Sequence, residues 1–326
     1  MKNIVFSRRK GEFRKNIKKV AQKKAEINKK QYASASNYLK QRFGSLELGF
    51  HSIVFNPIDH ELVREEPSIR RSYIDNAICA EEEDYLEIIR KYQKALRQKN
   101  ALLKEPEQPS EEEILGYTET LCHYGNEITL RRLQWIKKAN KKLPFFMKKI
   151  TRREEKIYIN YQSNYIKKTI EFNKENNGLY IDHFPRQEGA PSLQLLEKAF
   201  WLKYSLLSEK ERRAKTTLVG PHRDEWQLFL DSRLLKGHGS QGEIRAALLT
   251  LKLSELALYR ERTGRKPVFL LDDFSSELDR ERREFLLEYL LSTDLQVFIT
   301  TTEDISGEGK SFFIHRGSYA KQHQCE

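Results

Sequence analysis

VFLLDDFSSELD, residues 268–279, is the most informative segment of the chain. Four apolar residues run without polar alternation into two acids, Asp272 and Asp273. Such a run predicts a strand buried on both faces, as in a parallel sheet. Open α/β sheets place ligands beyond the carboxyl ends of their strands, where these two acids fall. One acid there can hold Mg²⁺ and its neighbour can orient a water, as phosphoryl transfer requires. A buried strand ending in an ordinary polar turn reads the same way. The flanking segments decide between the two.

Just upstream, GSQGE (residues 239–243) opens an apolar-striped helix carrying Ile244, Ala247, Leu248, Leu251 and Leu258. Ser240 and Glu243 have capping-box spacing, which makes Ser240 the expected N-cap. A helix beginning in Gly-Ser-Gln-Gly offers backbone N–H groups and a positive dipole end to an anion. Gly264 and Pro267 end that helix and deliver the chain to Val268. Downstream, Ser276 to Asp279 forms a polar turn before a helix over residues 280–291. Residues 297–300 predict a strand running into Thr300, Thr301 and Thr302, and residues 312–315 a terminal strand. Residues 216–219 predict a strand ending in GPHRDE (residues 220–225), with a further strand over 227–230.

Farther out, residues 1–7 and 12–20 read as a basic hairpin about the turn at 8–11, and residues 23–42 as polar and helix-compatible. Residues 51–55 predict a strand that Asn56-Pro57 breaks, and Pro67 opens a helix bearing Arg70, Arg71 and Tyr73. From residue 76 to 205 the period is mostly helical. Tyr85, Ile88, Ile89, Tyr92 and Leu96 form one stripe, residues 104–112 a break, and residues 114–141 a second long helix. A helical hairpin is the natural packing. Residues 158–161 predict a short strand and residues 193–207 another helix.

Charge narrows the class. The net charge is +12 over 326 residues. Residues 1–42 hold 14 Lys/Arg and 2 Glu, leaving 45 charges of each sign in the remainder. Residues 105–127 are acid-rich around Glu111, Glu112 and Glu113, whereas residues 128–153 contain ten Lys/Arg and no acid. Basic segments of this kind suit phosphate backbones, though a solvated surface looks the same. Lys137, Lys138, Lys141 and Lys142 repeat at nearly helical spacing and are the candidate DNA contacts. No apolar run approaches a membrane span. Cys79, Cys122 and Cys325 share no metal or redox spacing and read as free thiols of a reducing cytoplasm.

Taken together, the motifs resemble the ABC-type ATPase heads of the SMC and RecF proteins, and RecF more closely. The resemblance rests on VFNPIDHELV followed by PSIRRSYID (residues 54–75), residues 92–103, the segment around Gly125, GPHRDE, GSQGEIR, LLDDFSSELD and ITTT. It implies an α/β fold: an incomplete ABC-type ATPase head with an inserted helical arm. Residues 1–75 are then a partial ATPase lobe, 76–205 the arm, and 206–326 the lobe with the remaining motifs. It further implies that Asp272 is the Mg²⁺ ligand and that Asp273 stands at the catalytic carboxylate position. Ser240, Gln241 and Gly242, with Arg245 beside them, match the signature loop that faces ATP held by an opposite subunit. Ser276 and Asp279 match the D-loop, Thr301 the switch position, and residues 56–59 the Q-loop region. His222 and Arg223 match a motif without a role.

RecF proteins also carry a P-loop, G-x-x-x-x-G-K-[ST], ahead of these motifs. No such segment precedes Asp272 here; Gly309-Lys310-Ser311 lacks the first glycine, since Asp304 occupies its place. The chain is therefore expected to be truncated and, alone, neither to bind ATP tightly nor to hydrolyse it. It is expected to act as an ATPase only if a P-loop is supplied by other sequence or a partner. The implied cofactors are ATP and Mg²⁺. The implied partners are gapped DNA or single-strand/double-strand junctions, RecO, RecR and a second copy of the chain. Two alternatives stand beside this reading: a non-enzymatic, degenerate DNA-binding protein, and another SMC-type head, which the lack of long heptads disfavours. A single divided pocket would require Ser240 to lie within reach of Asp272.

Overall fold

The computed structural model describes residues 25–27, 30–32, 51–106, 109–166, 191–273, 280–302, 312–315 and 318–320. The chain divides into two units, residues 51–302 and residues 1–50 with 303–326.

In the second of these, β1 (Ala25–Ile27) pairs antiparallel with β2 (Lys30–Tyr32), Ile27 opposite Lys30. The helix-compatible reading of residues 23–42 is corrected there. Two short paired strands, not a helix, occupy the described part of that segment. The hairpin expected over residues 1–20 lies outside the described residues.

The larger unit holds β3 (Ser52–Phe55), β4 (Ile157–Gln162), β5 (Glu225–Leu230), β6 (Arg233–Leu234), β7 (Val268–Leu271) and β8 (Val297–Ile299). Its longer helices are α1 (Pro67–Glu81), α2 (Tyr85–Leu102), α3 (Glu111–Thr151), α4 (Leu193–Ala214), α5 (Gln241–Thr263) and α6 (Arg280–Leu291). The smaller unit ends in β9 (Phe313–His315) paired with β10 (Ser318–Ala320). Among the described residues no helix is long and apolar enough to cross a membrane.

Two sheets organise the larger unit. β7 lies between β3 and β8, parallel to both, with Ser52–Phe55 opposite Val268–Leu271 and Phe269–Leu271 opposite Val297–Ile299. The apolar run at 268–271 thus does what its lack of alternation predicts: Val268, Phe269 and Leu271 are buried. Burying each such side chain stabilises by roughly 1.5–3 kcal/mol. The second sheet, β4-β5-β6, is antiparallel, and β5 alternates half-buried and buried residues as a one-faced strand should.

α5 carries the core. Fourteen of its 23 residues are buried, so it packs on nearly every side. α2 and α3 form the expected helical hairpin. α3 extends well past residue 141 and runs through Pro144. Proline removes one helical hydrogen bond, but Leu143, Phe146, Met147 and Ile150 are all buried, and that packing holds the helix together.

The strand expected over residues 216–219 does not form. The N–H groups of Thr217, Leu218, Val219 and Gly220 donate instead to side chains: Asn100, Glu211 twice, and Asn164. Backbone groups so satisfied have no need of a ladder.

Candidate functional site

The carboxyl ends of β3, β7 and β8 bring Asn56, Asp272, Asp273 and Thr300 to one edge. The Asp272 N–H donates to Phe55 O and the Thr300 N–H to Leu271 O, both at 2.9 Å. One hydroxyl then links the acids: Thr300 Oγ1 donates to Asp272 Oδ1 at 2.7 Å and accepts from the Asp273 N–H at 2.9 Å. Asp273 has φ of 59°, the left-handed region that aspartate tolerates better than most residues. Both acids are half-buried and Thr300 is exposed, so the edge is open rather than sealed in a core. Thr301 is half-buried beside them.

Asn56 and Asp59 close the turn after β3 on each other. The Asn56 side chain accepts from the Ile58 N–H, and Asp59 Oδ2 accepts from the Asn56 N–H. Lys252 of α5 pairs with Asp59 at 3.2 Å and lies over the Tyr73 ring, whose hydroxyl donates to the buried Glu255 at 2.6 Å. Burial pushes the Glu255 carboxyl up. The site's edge is therefore anchored to the middle of α5.

Ser240 is the N-cap of α5, as its spacing predicts. Its hydroxyl accepts from the Glu243 N–H, and Glu243 Oε2 accepts from the Ser240 N–H at 2.8 Å. That hydrogen bond and Arg233 hold the Glu243 carboxyl below its usual range. Ser240 and Gln241 are exposed, Gly242 and Arg245 half-buried. Arg282 of α6 donates to the Gly242 carbonyl at 3.1 Å. A hollow of about 570 Å³ opens here, lined by Met147, Thr151, Glu155, Ser240, Gly242 and Arg282 among others.

Among the described residues Ser240 does not come within reach of Asp272, so the expected single divided pocket does not form within this chain. Lys252 is level with the sheet edge, and Ser240 precedes it by twelve residues, about 18 Å of helix. Ser276 and Asp279 lie outside the described residues. Lys138 and Lys141 are exposed on α3, whereas Lys137 and Lys142 are half-buried, and Lys142 is paired with Glu261. Among the described residues no group of three or more His, Cys, Asp or Glu is placed to hold a metal. Mg²⁺ usually takes one or two carboxylates with water and phosphate oxygens, which Asp272 at an open edge fits.

No family model matches the chain. Curated relatives do. The DNA replication and repair protein RecF of Geotalea uraniireducens is 33% identical over 301 residues, 90% of this chain and 74% of the relative. RecF of Geobacter metallireducens is 30% identical, over 91% and 74%. The chain belongs to the RecF family. RecF of Geotalea daltonii is 35% identical, and there the chain spans 64% of the relative. A solved structure of the recombination mediator RecF with ATP, in the RecFOR pathway, matches with TM-score 0.71 and 27% identity. It covers 90% of this chain and 72% of that one. The structure described as RecF-ATPrS matches with TM-score 0.70 and 28% identity.

The RecF-like blocks outside the sheet edge meet in a buried polar knot that gives GPHRDE its role. Gly220 has φ of +133°, and a Cβ there would stand 2.3 Å from the Tyr92 hydroxyl. His222 lies between that hydroxyl, 2.6 Å from Nδ1, and the Thr217 carbonyl, 3.2 Å from Nε2. A carbonyl only accepts, so Nε2 carries the proton and Nδ1 accepts from Tyr92. Burial pushes the imidazole down to about 4. Arg223 donates to the same Thr217 carbonyl at 3.0 Å. Asp224 is fully buried and accepts from the Tyr161 hydroxyl and the Asn164 N–H.

PSIRRSYID locks onto this knot from α1. Arg70 clasps Glu225 with two hydrogen bonds of 2.6 and 2.9 Å, and Arg71 donates to the Asp224 carbonyl. Asp75 accepts two more from Arg132, which also donates to Pro221 O. Lys99 and Glu211, each 1% exposed, pair at 2.7 Å beneath it. Burying such groups is tolerable only when each is paired, so blocks far apart in the chain depend on one another. Sequence reasoning missed Lys99, Asn100, Asn164 and Glu211. Their only signal was a polar residue on an otherwise apolar face.

Proposed function

We propose that this chain forms the magnesium-holding and partner-facing part of a RecF-type, ATP-dependent DNA-binding head. The observation that carries the reading is the Thr300 hydroxyl joining Asp272 to the Asp273 backbone at an open sheet edge. Asp272 is the metal ligand, its carboxylate oriented by Thr300. Asp273 orients the attacking water and accepts its proton, with its backbone held by the same hydroxyl. Mg²⁺, when bound, neutralises charge on the phosphate oxygens.

Ser240, Gln241, Gly242 and Arg245 serve nucleotide held by a second copy of the chain. Their separation of about 18 Å from the level of the sheet edge rules out one pocket within this chain, so the reading requires the two clusters to meet across two copies. Ser276, Asp279 and Thr301 complete the interface between copies. DNA with gaps or junctions is the substrate, Lys137, Lys138 and Lys141 contribute to holding it while Lys142 is occupied by Glu261, RecO and RecR are the partners, and the cytoplasm is the compartment.

These 326 residues contain no G-x-x-x-x-G-K-[ST], so the chain by itself is expected to bind ATP weakly and not to hydrolyse it. Equilibrium titration with labelled ATP and Mg²⁺ tests this, and micromolar affinity would defeat it. A strand and P-loop encoded next to Met1, in any frame, would decide for the ATPase.

A further inference from the structure

The outer face of α3 carries a feature that the ATPase reading does not use. Lys138, Lys141, Phe145, Lys149 and Arg152 are all exposed and recur at intervals of three or four residues. At 3.6 residues per turn Lys138, Lys141, Phe145 and Lys149 fall on one narrow stripe, and Arg152 is the left-handed cap just beyond the helix. Phe145 sits at its centre, 57% exposed, with Lys142 and Lys148 on its flanks. No acid occurs between residues 128 and 153. Lys142 is taken by Glu261 and Lys148 by Glu154. Lys138, Lys141, Lys149 and Arg152 form no ion pair among the described residues.

The next residue, Phe146, is buried and packs edge-on against Tyr289 of α6. Phe145 touches Phe146 edge-on, with ring centroids 5.2 Å apart, but most of its own ring stays outside the core. A large aromatic ring left more than half exposed amid cations that form no ion pair gains little for folding, because most of its apolar surface stays in water.

We propose that this stripe is a nucleic-acid contact in which the cations track one phosphate backbone and Phe145 stacks on an unpaired base. The inference rests on the DNA-binding reading above and deepens it. Lys138 to Lys149 spans eleven residues, about 16 Å of helix, the length of roughly five phosphates of one strand measured along the axis of B-form DNA. Cations alone would not distinguish DNA forms. An aromatic ring can, because only an unpaired or splayed base offers it a free face. A single ring in a cationic stripe is too little apolar surface to seat a helix in a lipid interface, which favours nucleic acid over a membrane.

The test uses the full chain and fluorescence anisotropy on two labelled DNAs: a primer–template junction with a single-stranded arm, and a blunt duplex of equal length. The unmodified chain prefers the junction. Phe145→Ser lowers junction affinity about 10-fold, leaves duplex affinity within about 2-fold, and leaves the dependence on salt unchanged. Phe145→Trp keeps the preference. Lys141→Ala with Lys149→Ala lowers affinity for both DNAs and reduces the slope of log affinity against log salt by about 2.

Unchanged junction preference in Phe145→Ser overturns the stacking role, and an unchanged salt slope in the lysine double variant overturns the stripe. Phe145-dependent binding to phosphatidylserine vesicles, without preference between the DNAs, overturns the proposal in favour of a membrane surface. If the unmodified chain binds neither DNA, the DNA-binding reading itself fails, an outcome distinct from binding that ignores Phe145.

Discussion

Replacing Lys99 by methionine tests the buried knot most directly. Lys99 Nζ donates to Glu211 Oε2 at 2.7 Å and lies over the Tyr204 ring at 4.7 Å. Burial pushes the amine down, and Glu211 pushes it back up. Glu211 Oε1 meanwhile accepts from the Leu218 and Val219 N–H groups at 2.6 and 3.2 Å. In Lys99→Met the carboxylate keeps those two donors and loses its cation. Leaving it ionised costs about 3–5 kcal/mol. Taking up a proton instead costs at most about 4 kcal/mol at pH 7.5, and under about 2 kcal/mol at pH 5.5.

The cheaper route sets the loss, so its sign with pH is fixed. The folded variant binds a proton that the unfolded chain at the same pH does not, and its stability falls as pH rises. Urea unfolding followed by tryptophan fluorescence at pH 5.5, 6.5 and 7.5 measures this, with unchanged m-values as the control for two-state behaviour. Lys99→Met with Glu211→Gln should recover about half the loss at pH 7.5, because the glutamine oxygen still accepts both amide hydrogens. A loss below about 1 kcal/mol at pH 7.5 would refute the reasoning. So would a loss that is the same at pH 5.5 and 7.5.

Three further outcomes are expected. Folded His222 resists a proton that the unfolded chain accepts below pH 6.5, so stability is lost as pH falls from there to about 4, by up to about 3 kcal/mol. His222→Gln removes that slope, seen as the difference between variant and parent across a pH series of thermal melts. Glu81 works in the opposite sense. Burial pushes its carboxyl up to about 7 while Trp135 Nε1 donates to it, so its contribution is lost as pH rises from about 4.5 to 7. Glu81→Gln keeps the acceptor and should stabilise by roughly 2 kcal/mol at pH 8 and not at all below pH 4.5, measured by urea titration. Gly220→Ala must place a Cβ 2.3 Å from the Tyr92 hydroxyl at φ +133° and should cost about 3 kcal/mol or more. Gly242→Ala, whose Cβ meets only Arg282 at 3.8 Å, is its near-neutral control in the same calorimetric comparison.

The sequence by itself determined whatever is written in local physics. The unalternating run at 268–271 specified a strand at the middle of a parallel sheet, because only a strand covered on both faces can leave out polar residues. The spacing of Ser240 and Glu243 specified where α5 starts, because a cap is a contact across three residues. The stripe through Tyr85 and Tyr92 specified α2. Only the tertiary structure decided which polar groups meet. Residues 216–219 look like a strand until Asn100, Glu211 and Asn164 arrive from elsewhere to take their N–H groups. Lys142 looks like its neighbours in the basic run until α5 brings Glu261 against it. The join at Thr300 between two acids 27 and 28 residues away exists only because β7 and β8 lie side by side. A hydrogen bond between distant residues leaves no period and no spacing in the chain, and this candidate site and its supporting knot are built of such bonds.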